Sequence, residues 1–136
     1  MTAARGFTLI EMVVVLLIIG LALSITAGFV ARPNTGAALA NASARVAAEL
    51  RLARMRAMAE SRPVLFVLSA DGHGVRLDDA AVALSPSATL SMAGPDSITF
   101  APDGSTTGGA VVVRVGNRKR LVQVDWLTGR VGFSAP

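Results

Sequence analysis

The sequence predicts an α+β protein in which a long N-terminal helix packs on a C-terminal antiparallel β-sheet domain. The stretch 12–31 is apolar and uncharged, and a helix of this length can cross a membrane. Residues 37–60 contain neither Gly nor Pro and repeat apolar side chains at helical spacing. From Pro63 onward, short β-branched runs alternate with turn-forming residues. A helix followed by consecutive strands is typical of the α+β class.

Length and composition limit what the protein can be. The 136 residues carry a formal net charge of +4 and no cysteine. That length provides one domain and an appendage, and the absence of cysteine excludes disulfides and thiolate metal sites. The mild positive charge permits contact with anionic surfaces without requiring it.

The apolar N-terminal stretch favours a membrane-spanning anchor, because about 20 helical residues cover a ~30 Å hydrocarbon core. A cleaved secretory signal is the alternative, since Arg5 precedes the stretch and small residues occur near Ala27. The stretch is longer than the usual ~7–15 residues of such a signal, and Glu11 interrupts its front end. An ordinary single-pass anchor also fits this length.

Glu11 is the unusual residue of this segment. A carboxylate in mid-bilayer costs about 2.5–3.5 kcal/mol, less near the end of a span, and such acids usually have a partner. No Lys or Arg occurs between Arg5 and Arg32. The residues alone therefore leave only Arg5 or a free amine as partner within the chain.

The segment GFTLIEMVVVLLIIGLALSI resembles the signal of type IV pilins and type II secretion pseudopilins. The resemblance implies that residues 1–6 are a prepilin leader and 7–31 a transmembrane and filament-core helix. Prepilin peptidase would cleave after Gly6 and methylate the new amino terminus of Phe7. Glu11 would then pair with that amine on a neighbouring subunit, which offsets the desolvation of both charges and sets axial register.

Residues 32–60 are predicted to form an amphipathic helix. The cluster RPNTG at 32–36 breaks helices, so it marks either a helix end or a kink within a longer pilin-type helix. Beyond it, one face carries an apolar stripe at helical spacing: Leu39, Val46, Leu50, Ala53 and Ala57.

The other faces of this helix are predicted to be solvated. Arg45, Arg51 and Arg56 lie off the stripe, as does Glu49, which is spaced i,i+4 from Arg45. An arginine-rich helix could also contact phosphate. Two apolar residues, Leu52 and Met55, point away from the stripe. They are interpreted either as scattered exposed residues or as a contact with an adjacent subunit.

Residues 61–136 are predicted to be a β-rich domain. Because no helix separates the strands, we expect antiparallel pairing. Alternation in the strand 120–126 places Val122, Val124 and Trp126 on one face. Residues 78–96 indicate either a weak hairpin or an irregular excursion. The predicted strands are 64–69, 74–77, 97–101, 110–115, 120–126 and 130–134.

Two C-terminal motifs narrow the family. A Phe-x-x-Asp-Gly loop contains Phe100, Asp103 and Gly104, and a later strand ends in Thr128, Gly129 and Arg130. With the preceding helix, they resemble the GspH/FimT group of minor pseudopilins and minor pilins.

This resemblance implies a minor pseudopilin of a type II secretion system, at or near the tip of the periplasmic pseudopilus that drives protein export. It implies a single-pass protein of the bacterial inner membrane with its C-terminal domain in the periplasm. The expected partners are other major and minor pseudopilins, prepilin peptidase, the inner membrane, and a secreted substrate or the secretin.

Catalysis is not predicted. His73, the single histidine, lies in the turn DGHG and is interpreted as a solvated loop residue. Its neighbours Asp71, Asp78 and Asp79 lack calcium-loop spacing, and no phosphate-binding loop occurs. We expect a protein that is not an enzyme and that holds no metal and no cofactor.

The alternative function is that of a FimT-like minor pilin of a type IV pilus involved in DNA uptake. The segment NRKR places Arg118, Lys119 and Arg120 on a predicted hairpin, and Arg130 follows nearby; these are the candidate nucleic-acid contacts. A charged turn is the simpler interpretation. DNA-binding relatives carry a second arginine where this chain has Gly132. The sequence therefore predicts weak, salt-sensitive DNA binding at most, and DNA is not an expected partner.

Overall fold

The computed structural model describes residues 8–30, with side chains as far as Ser24, and residues 34–134. The chain divides after Pro33 into two compact units. The predicted processing residues Gly6 and Phe7 lie outside the described residues. So do Arg32 and Pro33, so the prediction of a helix end or a kink stays open.

The first unit is the helix α1, Leu9–Val30, whose 22 residues carry one charge, Glu11, in the first turn. The Glu11 N–H donates to the Thr8 carbonyl and to Thr8 Oγ1, at 3.1 and 3.3 Å, so Thr8 begins the helix as a cap. Large apolar side chains from Leu9 to Leu23 are exposed around the whole circumference of the isolated helix. No helix within the described residues reaches the length and apolarity that a membrane crossing requires.

The second unit begins with α2, Thr35–Glu60. Asn34 caps its start by accepting a hydrogen bond from the Ala37 N–H at 3.1 Å, and Ser61 ends it in the left-handed region with φ 50°. Every residue of the predicted apolar stripe is buried, which confirms the prediction. The buried face is wider than predicted and also includes Ala42, Ser43 and Ala47.

Two expectations about the other faces of α2 are wrong. Leu52 is half-buried and packs against the core, because strands flank more of the helix than one stripe could contact. The Arg45–Glu49 pair does not form, since the ion pairs within the described residues all belong to Arg62. Glu49 Oε2 is instead buried without a hydrogen-bond partner among the described residues. Met55 is 60% exposed, as the spacing predicts.

Eight strands follow within the described residues up to Ser134, and all of their pairings are antiparallel, as predicted. They form two four-stranded sheets, in the orders β3-β2-β1-β5 and β4-β6-β7-β8. The bounds are β1 Val64–Leu68, β2 Gly74–Leu77, β3 Ala80–Ala83, β4 Thr89–Ala93, β5 Ser97–Phe100, β6 Gly109–Val115, β7 Arg118–Val124 and β8 Val131–Ser134.

The region 78–96 is neither a self-contained hairpin nor irregular. It supplies β3, which pairs with β2, and β4, which pairs with β6 in the other sheet. Asp78 takes the left-handed conformation, φ 51°, and turns the chain from β2 into β3. The Ala88 N–H then bonds the Ser85 carbonyl at 3.0 Å in the turn that leads to the second sheet. Alanine-rich β3 has low strand propensity, so its pairing comes from β2 rather than from its own residues.

The core lies where α2 meets both sheets. Phe66 and Phe100 from one sheet and Val111 and Val122 from the other are fully buried there. The predicted face of β7 is correct for Val122 and Val124. It is wrong for Trp126, because β7 ends at Val124 and this side chain stands in the following turn, 65% exposed.

Candidate functional site

Glu11 is the candidate assembly residue on α1. It is exposed in the first helical turn, where the partial positive charge of the helix N-terminus favours a carboxylate. The amine of Phe7, its predicted partner after processing, lies outside the described residues. The role of Glu11 in assembly therefore stays a prediction.

The two C-terminal motifs meet at a residue that the sequence analysis did not single out, Arg54 of α2. Arg54 Nε donates to the Gly104 carbonyl at 3.1 Å. A Cβ atom added to Gly104 would lie 3.0 Å from Arg54 Nη2. A Cβ atom added to Gly129 would lie 2.7 Å from Arg54 Nε and would also collide with the Gly104 carbonyl. Both glycines have positive φ, 85° and 63°. The guanidinium is thus clamped between two loops that only glycine allows to approach so closely.

Carboxylates hold the turns of both motifs. Asp103 Oδ1 accepts hydrogen bonds from the Ser105 hydroxyl at 2.6 Å and from its N–H at 2.9 Å, and these lower the pKa of Asp103. Asp125 Oδ1 accepts from the Thr128 N–H and hydroxyl, both at 2.8 Å, and these lower the pKa of Asp125. Phe100 is fully buried. The motif residues are therefore structural: they shape and join two loops.

Sequence reasoning missed Arg54 and Asp125 for different reasons. Arg54 is one of several arginines in RLARMR and nothing in that segment distinguishes it from its neighbours, yet it is partly buried. Its position four residues after the buried Leu50 was the available signal. Asp125 lies three residues before Thr128, a spacing at which an Asp side chain can close a turn on its own backbone.

Beside this clamp, α2 and the start of β8 enclose a groove of about 410 Å³. Its apolar side chains include Met55 and Met58, which are 60% and 48% exposed. The complete lining is Arg51, Arg54, Met55, Met58, Gly129, Arg130 and Val131. This combination of apolar and cationic groups suits contact with another protein surface.

A second cluster, here called the basic hairpin, consists of Arg114, Arg118, Lys119 and Arg120 on β6 and β7. Lys119 lies directly opposite Arg114 in the register. Arg118, Lys119 and Arg114 are exposed, while Arg120 is half-buried with its guanidinium 6.0 Å from the Phe133 ring centroid. Within the described residues none of the four forms an ion pair.

The four predicted nucleic-acid contacts do not lie together. Arg118, Lys119 and Arg120 begin β7, whereas the Arg130 carbonyl accepts from the Asp125 N–H just beyond the other end of that strand, at 3.0 Å. Five residues of strand span roughly 17 Å, so the backbone of Arg130 is well separated from that of Arg120.

His73 has a structural position. Its Nδ1 lies 2.8 Å from the Ala88 carbonyl, and its N–H donates to Asp71 Oδ1 at 2.9 Å. These contacts connect the β1–β2 turn to the segment before β4. Among residues 8–24 and 34–134, no cluster of His and acidic side chains is placed to hold a metal ion.

Two segments of the chain match known protein families. Residues 1–27 match the prokaryotic N-terminal methylation motif, and residues 42–129 match the type II transport protein GspH family. The type II secretion system protein H of Xanthomonas campestris pv. campestris is 30% identical over 137 residues, which cover 93% of this chain and 81% of that protein.

Solved structures share the fold at low identity. The type IV minor pilin FimU of Pseudomonas aeruginosa gives a TM-score of 0.61 at 16% identity, covering 71% of this chain and 87% of FimU. The minor pseudopilin EpsH of the Vibrio cholerae type 2 secretion system gives 0.54 at 11% identity, covering 69% and 94%.

The helix packed on antiparallel sheets and the N-terminal methylation motif define a pilin-like protein, which confirms the predicted fold class. Within that class the chain belongs to the GspH family of type II transport proteins, because the family match covers residues 42–129, more than half of the chain, and the Xanthomonas relative covers 93% of it.

Proposed function

We propose that the chain is a minor pseudopilin of a type II secretion system, a non-enzymatic structural subunit at or near the tip of the periplasmic pseudopilus that drives export. The observation that carries the proposal is the presence, on one chain, of the methylation motif at 1–27 and the GspH match at 42–129. The partners are other major and minor pseudopilins, prepilin peptidase, and a secreted substrate or the secretin.

In this proposal α1 is an anchor in the bacterial inner membrane before it becomes filament core. Its apolar side chains are exposed around the whole helix, so they must be buried against other apolar groups. Lipid buries them first, and neighbouring helices bury them after assembly. Prepilin peptidase cleaves after Gly6 and methylates Phe7, leaving an amine that pairs with Glu11 of a neighbour. Residues 34–136 then face the periplasm.

The processing step is tested by mass spectrometry of the chain recovered from membranes of a host that has the secretion system. We expect a mature protein that begins with N-methylated Phe7. A protein that begins at Met1, or at a residue beyond Ala27, would contradict the proposal.

The assembly step is tested by complementing a strain that lacks this gene and measuring exoprotein in the medium. Glu11→Gln should be processed normally yet fail to restore export, because the neutral amide cannot pair with an ammonium group. Glu49→Gln is the matched control: it makes the same chemical change where Oε2 has no hydrogen-bond partner among the described residues. Export at the same level from both variants would refute a role for Glu11 in assembly.

The alternative function, DNA uptake as a FimT-like minor pilin, is favoured by the basic hairpin. The separation of Arg130 from that hairpin and the exposed Gly132 in β8 weaken it. We expect weak duplex retardation in a gel-shift titration at low salt and none at physiological salt. Tight binding that is lost on Arg118→Ala, Lys119→Ala and Arg120→Ala together would reverse the ranking of the two functions.

A further inference from the structure

We propose that the basic hairpin rests on anionic phospholipid headgroups while the chain is anchored in the membrane, before it enters a filament. The inference relies on the proposed function, because it requires α1 to lie in lipid. It assigns a ligand class to Arg114, Arg118, Lys119 and Arg120, which neither the fold nor the family match explains.

The four cationic side chains are divided between the two faces of the hairpin. Strand alternation places Arg118 and Arg120 on the face that carries buried Val122, while Lys119 and its cross-strand neighbour Arg114 lie on the opposite face. The tip therefore presents cations on both sides. Like charges directly opposite each other are destabilising in a sheet, so the Arg114–Lys119 pair calls for an external anion.

The hairpin lies beside the start of α2. A Cβ atom on Gly36 would lie 3.0 Å from Arg118 Nη1, and one on Gly116 would lie 3.9 Å from Thr35 Cγ2. Only residues 31–33 separate the last residue of α1 from Asn34. Four Cα–Cα steps reach at most about 15 Å. If α1 lies in the bilayer, covalent connection alone therefore keeps the hairpin close to the headgroups.

The end of the domain that carries the basic hairpin is poor in carboxylates. Residues 34–48 and 104–124 contain no acidic residue, and Asp71 lies in the β1–β2 turn, which is hydrogen-bonded to β4. Asp78, Asp103 and Asp125 lie at the other end, where α2 finishes or β7 ends. Electrostatic attraction to an anionic leaflet extends over about a Debye length, ~8–10 Å. The cationic end is thus the end of the domain at which the chain continues, through residues 31–33, into α1.

The test uses the full chain in lipid nanodiscs. The protein has no cysteine, so Asn117→Cys places a single donor fluorophore in the hairpin turn, and a headgroup-labelled lipid serves as acceptor. Discs of phosphatidylcholine are compared with discs that also contain phosphatidylglycerol. We expect energy transfer to increase with phosphatidylglycerol, and we expect added NaCl to abolish the increase.

Two charge-matched triple variants locate the effect. Arg114→Gln, Arg118→Gln and Lys119→Gln together should eliminate the dependence on phosphatidylglycerol. Arg51→Gln, Arg56→Gln and Arg130→Gln, which remove the same charge from other parts of the domain, should retain it. If the first variant has altered Trp126 fluorescence, the double variant Arg114→Gln with Lys119→Gln replaces it, because both side chains are exposed on the outer face.

The outcomes separate the inference from the proposed function. Energy transfer that is independent of lipid charge, or equally reduced in both triple variants, overturns the hairpin inference and leaves the anchor intact. A chain that is not retained in either disc overturns the membrane anchor and the inference together. If energy transfer does not depend on phosphatidylglycerol and the detergent-solubilised chain retards duplex DNA, the hairpin is a nucleic-acid surface and the lipid inference is wrong.

Discussion

Gly129 occupies a position where any side chain would meet two groups at once. Its φ of 63° is costly for an L-residue, and its Cβ would collide with the Gly104 carbonyl and with Arg54. We expect Gly129→Ala to lower the free energy of unfolding by about 2–4 kcal/mol. Urea unfolding of the full chain in mild detergent, followed by fluorescence of the single tryptophan Trp126, measures this loss.

The control for that substitution lies in the next strand. A Cβ on Gly132 would meet nothing within 4 Å, and its φ lies outside the left-handed region. Gly132→Ala should leave the unfolding midpoint unchanged or raise it slightly. If Gly129→Ala and Gly132→Ala lower the free energy of unfolding equally, the contacts with Arg54 and Gly104 do not restrict position 129.

Asp78 makes stability depend on pH. Its carboxylate accepts from the Leu65 N–H at 2.9 Å and from Arg62 Nη1 at 2.7 Å, and these contacts, in that order, lower its pKa. Because the pKa of Asp78 is lower in the folded state than in the unfolded state, where it is about 3.9, the ionised carboxylate stabilises the fold above about pH 3.9. This stabilisation is lost as the pH falls through the folded-state pKa. The carboxylate therefore stabilises the fold at neutral pH.

Asp78→Asn keeps an acceptor and tolerates the left-handed conformation, so it removes mainly the charge. At pH 7 we expect it to be less stable than the parent by no more than about 1 kcal/mol, since the ion pair is partly exposed. This difference in the free energy of unfolding should vanish at acidic pH, where Asp78 of the parent is protonated. Asp79→Asn is the neighbouring control, and a difference that persists at low pH would exclude the charge as the cause.

At the scale of elements, Arg54 is the connection between α2 and the two motif loops. Arg54→Met keeps an unbranched stem but leaves the Gly104 carbonyl without its donor, so we expect a loss of about 1–2 kcal/mol. Amide hydrogen exchange should accelerate in residues 101–108 and 125–130 and stay unchanged in β2 and β3. Arg56→Met, also on α2 and half-buried, is the control. Exchange that accelerates in neither loop would contradict the clamp.

Elements were predictable where one periodicity dominates. The stripe from Leu39 to Ala57 follows helical spacing and is buried, and the runs around Phe66 and Val122 are rich in β-branched or aromatic residues and form strands. Residues 80–93 were not predictable, because alanine and serine carry little strand preference and their pairing comes from β2 and β6.

The division into two sheets was also beyond sequence reasoning. Local patterning shows which face of a strand is apolar, but it does not show which strands share a sheet. The same limit applied to the site: the motifs at Asp103 and Thr128 were visible, whereas their meeting at Arg54 depends on long-range packing.

At the scale of the whole molecule, the two units have different sources of stability. Among the described residues, the hydrophobic core of the second unit consists of residues from Leu39 onward. Within residues 34–134, α2 packs against two four-stranded sheets. The large apolar side chains from Leu9 to Leu23 of α1, in contrast, are exposed, and in the proposed function lipid or other subunits cover them.

A chain that starts at Asn34 should therefore fold alone. We expect it to be monomeric without detergent and to unfold in one cooperative transition, because a domain of about 100 residues can bury a sufficient core. Its Trp126 emission should match that of the full chain in detergent, since the β7–β8 turn contacts Gly108 and Thr106 within the same unit. Circular dichroism and analytical ultracentrifugation measure these properties.

The same fragment, directed to the periplasm, should fail to restore export in the deletion strain, because it lacks α1, to which the proposed function assigns both the membrane anchor and the pairing of Glu11. A fragment that is aggregated or lacks a cooperative transition would show that α1 contributes to folding, and one that restores export would show that α1 is dispensable for assembly.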